Sequence, residues 1–405
     1  MAVADWIRFQ QVYGFGSVRA AKALEKWHSP TLLFHTEERL LRQHGMKEEE
    51  CRRITEAAKT DVSPILSFCE KNKVRILTPE DDLYPDRLRH IYSPPAVLYV
   101  AGNWENIDEI LTIAVVGTRR CTEYGSRTAR QISADLAARG VITVSGLAKG
   151  IDSCCHDATV QAGGRTIAVQ GCGIDVTYPA ANRGLKRKIL ENGGAVISEF
   201  PPGAEPNAYH FPIRNRIIAG LSHGTLVVEG EQQSGSLITA GFALTEGRDV
   251  FAVPGNVDSA MSQAPNWLIR EGAVMARDAG DILAEYDLAE YRTAGPAGAV
   301  LPEQMPLETG ERFGRPRQSG GAARKSPTPG AASARGADLM LEHLNQNQRI
   351  LLGVMSSQPQ TADELVAQSG LSVPEVLSVL TQLEIFGIIK IMRDTGSAGS
   401  ARCSR

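Results

Sequence analysis

Residues 114–132, AVVGTRRCTEYGSRTARQI, give the clearest indication of the fold class of this chain. An apolar run ends in Gly117 and a helical pattern follows at once, which is how the first strand, turn and helix of a dinucleotide-binding fold begin. Such a turn would continue as G-x-G-x-x-G, so that the backbone can approach a pyrophosphate. Here Gly117 is followed by Thr118, Arg119 and Arg120. The turn therefore predicts a nucleotide-type fold whose ligand meets two guanidinium groups where a second glycine would stand.

Short apolar runs and helical patterns alternate on either side of this turn. The candidate strands are 112–116, 141–144, 166–169, 195–198, 225–228, 249–253 and 273–276. Helical patterns between them begin near Ser126, Ile151, Asn182, Arg214 and Ser236. This alternation predicts βαβ units and a parallel sheet, and strands apolar on both faces predict helices on both sides of it. The sequence therefore predicts an α/β fold with its ligand site beyond the carboxyl ends of the strands.

The composition sets limits on where the protein acts and how it binds a charged partner. The net charge of the 405 residues is −3, so nucleic-acid binding would depend on a local basic cluster. The seven cysteines are scattered without a C-x-x-C pair. The adjacent Cys154 and Cys155 are expected to be two free thiols on a helix rather than partners in a disulfide bond. No apolar run approaches the roughly 20 residues of a membrane span, and the first residues lack a signal-peptide pattern. We expect a reduced, cytoplasmic protein without a membrane segment.

The chain divides into four regions by composition. Residues 1–60 are predicted to form short helices, and residues 61–290 carry the strand–helix alternation. Residues 293–337 are rich in Gly, Pro, Ala and Ser without periodicity, which predicts a disordered linker. Residues 338–393 are predicted to form a small C-terminal domain, followed by a frayed tail.

The loops after the predicted strands combine glycines, cations and aromatic residues. Glycines let backbone N–H groups approach a ligand, and the helix starts behind them favour anions. The cations at this edge are Arg119, Arg120, Lys149, Arg214 and Arg216, and the aromatic residues among them are Tyr124, Tyr178, Tyr209 and Phe211. Cations on separate loops suit a repeating polyanion, because each loop can meet a different phosphate. Stacking on an aromatic ring contributes about 1–3 kcal/mol of binding free energy per base. The loops therefore predict a site for single-stranded nucleic acid.

The candidate phosphate- and DNA-binding residues all lie in these loops or at the helix starts behind them. They are Gly117, Thr118, Arg119, Arg120, Ser145, Gly146, Lys149, Phe211, Arg214, Asn215, Arg216, Ser234, Gly235 and Ser236. No catalytic residue, metal site or cofactor is predicted, because no nucleophile–base pair or paired carboxylates can be placed together and no G-x-x-x-x-G-K-[ST] or H-E-x-x-H motif is present.

Several of these residues have structural interpretations that stay open at this point. Arg214 or Arg216 could pair with Glu199 or Glu229 as part of the scaffold, and Glu229 could instead serve as a general acid. His156, four residues after Asp152, could form half of a metal site, although helix capping or packing is favoured. Tyr178 could be a stacking platform or a core residue.

At these loops the chain resembles the DNA-processing protein A family, also called DprA or Smf. The matching segments are VVGTRRCTEYG (115–125), VSGLAKGIDSCCH (144–156), GGRTIAVQGCGIDVTYPAAN (163–182), FPIRNRIIAGLSHGTLVVEG (211–230), SGSLITAGFALTEGRDVFAVPG (234–255) and NWLIREGA (266–273). The resemblance implies an extended Rossmann-like domain that binds single-stranded DNA without catalysis, usually as a homodimer. It also implies that the protein protects incoming DNA in natural transformation and loads the recombinase RecA onto it.

The resemblance also implies which residues form the DNA pocket. By position, the arginine of the family's G-[ST]-R loop is Arg119, and the F-P-x-R-N-R residues are Arg214, Asn215 and Arg216. The family commonly has small residues where this chain has two adjacent cysteines. In addition, QQVYGFGSVRAAKALEKW (10–27) resembles a helix–hairpin–helix or SAM-like module, whose turn either contacts DNA through Gly14, Gly16 and Arg19 or packs against the sheet.

The C-terminal region resembles a winged helix. TADE (361–364) and SVPE (372–375) are capping boxes that open helices, and GIIKIM (387–392) supplies the wing strand. The second helix carries no Lys or Arg, so we expect this domain to contact protein rather than read a duplex, with Lys390 and Arg393 as the opposing signal.

Two other functions compete with the leading one. VVEGEQQSGS (227–236) is similar to the strand end of nucleotide hydrolases related to lysine-decarboxylase-like proteins, although their P-G-G-x-G-T loop is missing. A transcription factor built on the winged helix is the third interpretation.

Overall fold

The computed structural model describes residues 2–232, 234–293, 346–356, 360–371, 376, 379–380, 383, 390–393 and 401–404. The predicted linker, apart from residue 293, lies outside the described residues, as does most of the helix predicted after SVPE.

The N-terminal region is helical, as its sequence predicts. Its helices are α1 Ala2–Tyr13, α2 Val18–Trp27, α3 Pro30–His35, α4 Glu38–Gln43 and α5 Glu48–Ala58. Helix α3 begins with Pro30 at its first position and with the Ser29 side chain accepting a hydrogen bond from the Thr31 N–H, which satisfies one of the open donors of the first turn. Trp6, Ile7 and Phe9 of α1 are buried in a core that this region shares with the edge of the sheet.

The α/β region follows from residue 63 onward. Its helices are α6 Ser63–Lys71, α7 Asp86–Arg89, α8 Glu123–Ala138, α9 Ile151–Gln161, α10 Arg183–Glu191, α11 His210–Leu221, α12 Gly235–Thr245, α13 Gln263–Arg270 and α14 Ala279–Leu283. Its strands are β1 Arg75–Leu77, β2 Leu98–Gly102, β3 Thr112–Val116, β4 Ile142–Ser145, β5 Thr166–Gln170, β6 Ala195–Ser198, β7 Gly224–Val227, β8 Asp249–Ala252 and β9 Val274–Met275. Three short 3-10 turns lie at Ala180–Asn182, Ala260–Ser262 and Leu288–Glu290.

These nine strands form one sheet in the order β1-β2-β6-β5-β4-β3-β7-β8-β9. The strands from β3 to β9 pair in parallel, and every residue of β3, β4, β5, β6 and β7 is buried, because helices cover both faces. The predicted α/β class and its strands are confirmed, and each predicted strand end lies within one residue of the observed one.

Two features of this region differ from the prediction. The sheet is not wholly parallel, because β1 and β2 add an antiparallel edge beside β6. Both strands precede 112–116, the first of the candidate strands from which the parallel sheet was predicted. In addition, two helices begin earlier than predicted: α8 at Glu123, three residues before Ser126, and α11 at His210, four residues before Arg214. Pro212 argues against a helix in sequence, but it is the third residue of α11, and a proline is tolerated in the first turn of a helix.

The described part of the C-terminal region contains α15 Gln346–Val354, α16 Ala362–Ser369 and three short strands. The strands β10 Gln360–Thr361, β11 Lys390–Arg393 and β12 Ala401–Ser404 pair in the order β10-β12-β11. Thr361 and Glu364 form the predicted reciprocal capping box of α16. The tail is not frayed throughout, because residues 401–404 pair with β11 through backbone hydrogen bonds that no local pattern predicted. Among the described residues, no helix has the length and apolar character required to cross a bilayer.

Candidate functional site

A cavity of about 580 Å³ opens at the carboxyl ends of β3 and β7. The chain places β4 on one side of β3 and β7 on the other, so the order of the sheet changes direction at this point. Ligands of open α/β sheets bind at such a switch point. The volume lies within the range of roughly 300–1,000 Å³ that is usual for ligand sites.

The cavity brings together nine of the fourteen candidate residues. These nine are Gly117, Thr118, Arg119, Phe211, Arg214, Asn215, Ser234, Gly235 and Ser236. Tyr178 and Asp152, which were not among the fourteen, also line it. The other five candidates, Arg120, Ser145, Gly146, Lys149 and Arg216, are not part of its lining.

The loop after β3 is held tightly on both sides. A Cβ atom on Gly117 would lie 2.6 Å from Ile151 Cγ1 and 2.9 Å from the carbonyl oxygen of Glu229. The Thr118 N–H donates a hydrogen bond of 2.8 Å to that same carbonyl. Gly117 is therefore required for close packing between α9 and the loop after β7, while Arg119 emerges from the fixed turn into solvent.

Arg119 lies over an aromatic pair at the mouth of the cavity. Its guanidinium carbon is 5.1 Å from the centre of the Phe211 ring, within the range of a cation–π contact. The Phe211 and Tyr178 rings are 5.5 Å apart with their planes inclined by 36°. Because 44% of Tyr178 is exposed, this pair offers open ring surface next to a cation.

Arg214 lies at the floor of the cavity rather than at its mouth. Its side chain is buried and donates hydrogen bonds to the carbonyl oxygens of Gly146, at 2.6 Å, and of Val169. Burial lowers its pKa to about 10, against the attraction of Asp152, so Arg214 stays protonated at neutral pH. A Cβ atom on Gly146 would lie 2.6 Å from this guanidinium. Packing against Arg214 therefore accounts for a glycine at this position, and no contact with a ligand is needed to explain it.

Asp152 holds the loop after β4 in place. One of its carboxylate oxygens accepts hydrogen bonds from the N–H groups of Gly146, at 3.1 Å, and Ala148, at 3.3 Å. Burial raises the pKa of this carboxyl group, while Arg214 acts in the opposite direction. Ser145, in the same segment, donates its hydroxyl to the Val115 carbonyl at 2.7 Å and so ties β4 to β3.

The start of α12 forms the opposite wall. The Ser234 hydroxyl accepts a hydrogen bond from the Ser236 N–H at 3.3 Å and lies 2.8 Å from the Ser236 hydroxyl. Asn215 reaches across from α11 and donates to the Gly235 carbonyl at 3.4 Å. This wall presents hydroxyl groups and the positive end of a helix dipole to the cavity, and both suit an anion.

Arg216 has a different environment from Arg214. Its guanidinium forms an ion pair of 2.6 Å with Glu199, and both side chains are almost fully buried. This selects Glu199, rather than Glu229, as the scaffold partner that the sequence left open. The expected contact of Arg216 with DNA stays a prediction, and its burial outside the cavity does not favour it.

The Gly-Phe-Gly turn between α1 and α2, residues 14–16, packs beside α11, the helix that carries Arg214 and Arg216. Phe15 lies 4.6 Å from Phe200, whose ring stacks on His210 at 4.0 Å. The Gly16 N–H points to Glu199 Oε1 at 3.4 Å, and its φ of +60° is one that glycine adopts without strain. Phe15 and Gly16 thus pack beside the start of α11, which carries Phe211 and Arg214, and a DNA contact of this turn stays a prediction.

Glu229 is committed to the start of α8. Its two carboxylate oxygens accept hydrogen bonds from the N–H of Thr122, at 2.8 Å, and from the Thr122 hydroxyl, at 2.5 Å. Thr122 in turn accepts a hydrogen bond from the Gly125 N–H as the cap of α8. The carboxylate therefore stabilises a helix N-terminus, where negative charge is favourable, and does not pair with Arg216.

His156 is a core residue. Its Nδ1 atom lies 2.7 Å from the Thr166 hydroxyl, and burial lowers its pKa to about 3. In the described ranges no group of three His, Cys, Asp or Glu side chains is arranged to hold a metal ion. Cys154 and Cys155 are free thiols and both are buried.

We expect acid to destabilise the fold through His156. Its pKa is lower in the folded state than the 6.5 of a free imidazole, so the stability it contributes is present above pH 6.5 and falls as the pH drops toward 3. Replacing His156 by Asn should reduce the loss of unfolding free energy between pH 7 and pH 5 by about 2 kcal/mol. Urea unfolding at the two pH values measures this, and an equal loss in both proteins would contradict it.

The chain is similar to known proteins in both sequence and fold. The sequence profile of a family described as DNA recombination-mediator protein A matches residues 75–287, and that of the DprA winged helix domain matches residues 335–393. Protein Smf of Escherichia coli is 37% identical over 69% of this chain and 73% of its own length. Protein Smf of Synechocystis is 34% identical over 95% of this chain and 96% of its own. The X-ray structure of DNA processing protein A from Streptococcus pneumoniae superimposes with a TM-score of 0.61 at 34% identity, covering 71% of this chain and 99% of that one.

Proposed function

This chain belongs to the DNA recombination-mediator protein A family, and from that membership we propose that its cavity binds single-stranded DNA. The observation that carries the proposal is the position of Arg119 over Phe211 beside the exposed Tyr178, with the protonated Arg214 in the floor. Guanidinium groups bind phosphate oxygens, and aromatic rings stack with bases of any sequence. The cavity is lined by both kinds of side chain, which supports the proposal.

A single strand of DNA fits this site better than a small nucleotide substrate does. Arg119 and Tyr178 lie at the open mouth, where a polymer can continue past them, rather than enclosing a small ligand. The glutamate that a nucleotide hydrolase would use as a general acid, Glu229, is bonded to Thr122 at the start of α8. We therefore propose a binding function without catalysis, and we do not favour the related nucleotide hydrolases.

We further propose that the protein acts in the cytoplasm as a homodimer that protects single strands and loads RecA onto them during transformation or recombination. This part rests on the family resemblance. The cavity is compatible with it, because phosphate contacts and stacking do not read a base sequence, so any incoming strand would be accepted.

Fluorescence anisotropy with labelled oligonucleotides tests the proposal. The wild-type protein should prefer single strands to duplexes, and log Kd should depend linearly on log salt. Arg119→Ala should weaken binding to all single strands and reduce the magnitude of the salt slope by about 0.7, as expected for one lost phosphate contact. The same variant should no longer accelerate RecA assembly on single strands.

Arg139→Ala is the matched control, since Arg139 is exposed at the end of α8, at the opposite edge of the sheet. It should bind like the wild type. Equal affinity of the wild type and Arg119→Ala would contradict the proposal, as would release of a free base from a nucleoside monophosphate.

A further inference from the structure

Helix α10 carries a group of exposed cations that the cavity does not include. Its sequence is RGLKRKILE, residues 183–191, and Arg183, Arg187 and Lys188 are exposed. Arg183 and Arg187 are four residues apart and therefore share one face of the helix. This helix follows the loop that contributes Tyr178 to the mouth of the cavity.

The start of α10 is fastened to the loop after β4. The Asn182 side chain donates hydrogen bonds to the carbonyl oxygens of Leu147, at 2.8 Å, and Ala148, at 3.3 Å, and to the Ser153 hydroxyl, at 2.9 Å. The same loop carries the exposed Lys149. Lys149 and Arg183 therefore lie on neighbouring segments that are held together by hydrogen bonds.

The loop after β4 also contacts the loop after β3. The Ile151 N–H donates to the Thr118 carbonyl at 3.3 Å, and a Cβ atom on Gly150 would lie 2.8 Å from the carbonyl carbon of Arg119. Since β3, β4 and β5 are neighbours in the sheet, their loops follow one another along its carboxyl edge over about 10 Å. The segments that carry these exposed cations are thus contiguous along this edge of the sheet, beside the cavity, and present them at the surface of the protein.

Carboxylates neutralise little of this surface. Within the described part of the chain, Arg120, Lys149 and Arg183 have no ion-pair partner. Arg187 is 3.7 Å from Glu191, and both side chains are largely exposed. Exposed pairs of this kind contribute about 0–1 kcal/mol, so a phosphate can compete for Arg187.

We propose that single-stranded DNA leaving the cavity past Tyr178 continues over a basic track formed by Arg120, Lys149, Arg183 and Arg187. The track deepens the proposed function and rests on it. It contacts phosphates only, so it lengthens the bound segment without adding sequence preference. Cavity and track together form a site of several nucleotides rather than a pocket for one.

The double variant Arg183→Ala/Arg187→Ala tests the track through the length of the ligand. An oligothymidylate of about 20 nucleotides should bind it about tenfold more weakly than the wild type, with a salt slope smaller in magnitude by about 1.4. One of about 2 nucleotides is too short to extend from the cavity over the track and should bind both proteins within twofold. Arg139→Ala/Arg270→Ala removes the same charge from helix ends at the opposite edge and should leave both affinities unchanged.

The outcomes separate the track from the cavity. If the double variant bound the long oligonucleotide with wild-type affinity, the track would be overturned. The proposed binding in the cavity would then still be tested separately by Arg119→Ala. Equal losses for short and long oligonucleotides would also overturn it, because the effect would not depend on ligand length. A wild-type protein that binds neither would overturn the proposed function and the track together.

Discussion

Replacing Glu199 by alanine is expected to lower the free energy of unfolding by about 3–5 kcal/mol. The substitution would leave the buried Arg216 guanidinium without its carboxylate partner at 2.6 Å. Two other guanidinium nitrogens of Arg216, Nε and Nη1, already have no hydrogen-bond partner within the described residues. An uncompensated buried charge costs far more than the pair contributes when it is intact. Chemical unfolding followed by circular dichroism measures the loss.

The controls for this prediction come from the same chain. Glu191→Ala removes an exposed carboxylate near Arg187 and should change stability by less than about 1 kcal/mol. Glu199→Leu combined with Arg216→Met should recover most of the loss, since an apolar pair avoids the unpaired charge. A Glu199→Ala protein that unfolds at the wild-type urea concentration would contradict the expected cost of leaving the buried Arg216 without its partner.

Replacing Phe211 by alanine should weaken single-strand binding by about 1–3 kcal/mol, roughly 5- to 150-fold. The variant removes the ring on which a base would stack and over which Arg119 lies. No charge is lost, so the salt slope should stay close to that of the wild type, in contrast to Arg119→Ala. Anisotropy over a salt series distinguishes the two variants.

Tyr92→Ala is the matched control for Phe211, since it removes an aromatic ring that is 55% exposed and outside the cavity lining. It should bind like the wild type. Phe211→Tyr keeps the ring and should recover most of the affinity. If Phe211→Ala bound as tightly as Tyr92→Ala, base stacking at this position would be excluded.

The sequence predicts the central sheet well because of how its strands are covered. Strands buried on both faces are continuous apolar runs, such as TIAVV and TIAVQ, and the helices between them have clear starts. β1, with three residues, and β2 precede the first candidate strand, 112–116, and pair antiparallel, so the same reasoning did not find them.

The candidate site was only partly predictable, and the F-P-I-R-N-R segment shows why. Arg214 and Arg216 were expected to act together because they are close in sequence and were placed at a helix start. With α11 beginning at His210, both lie within the helix, about 200° apart around its axis. Arg214 therefore faces the cavity while Arg216 points to Glu199 and the Gly-Phe-Gly turn.

Tyr178 shows a second limit of the sequence. It lies eight residues after the last residue of β5, in a long loop whose path no local pattern determines. Its aromatic character identified it as either a stacking platform or a core residue. Its contact with Phe211 and its exposure, both set by tertiary structure, place it at the mouth of the cavity.

Photo-crosslinking tests most directly whether single-stranded DNA occupies this cavity. An oligothymidylate with single 5-iodouracil substitutions would be irradiated on the wild-type protein, and the attached peptides would be identified by mass spectrometry. We predict cross-links at Tyr178 and Phe211, which are lost when unlabelled single strands compete. Cross-links confined to residues 1–60 or to residues 346–404, with none in the cavity, would contradict the assignment of the site.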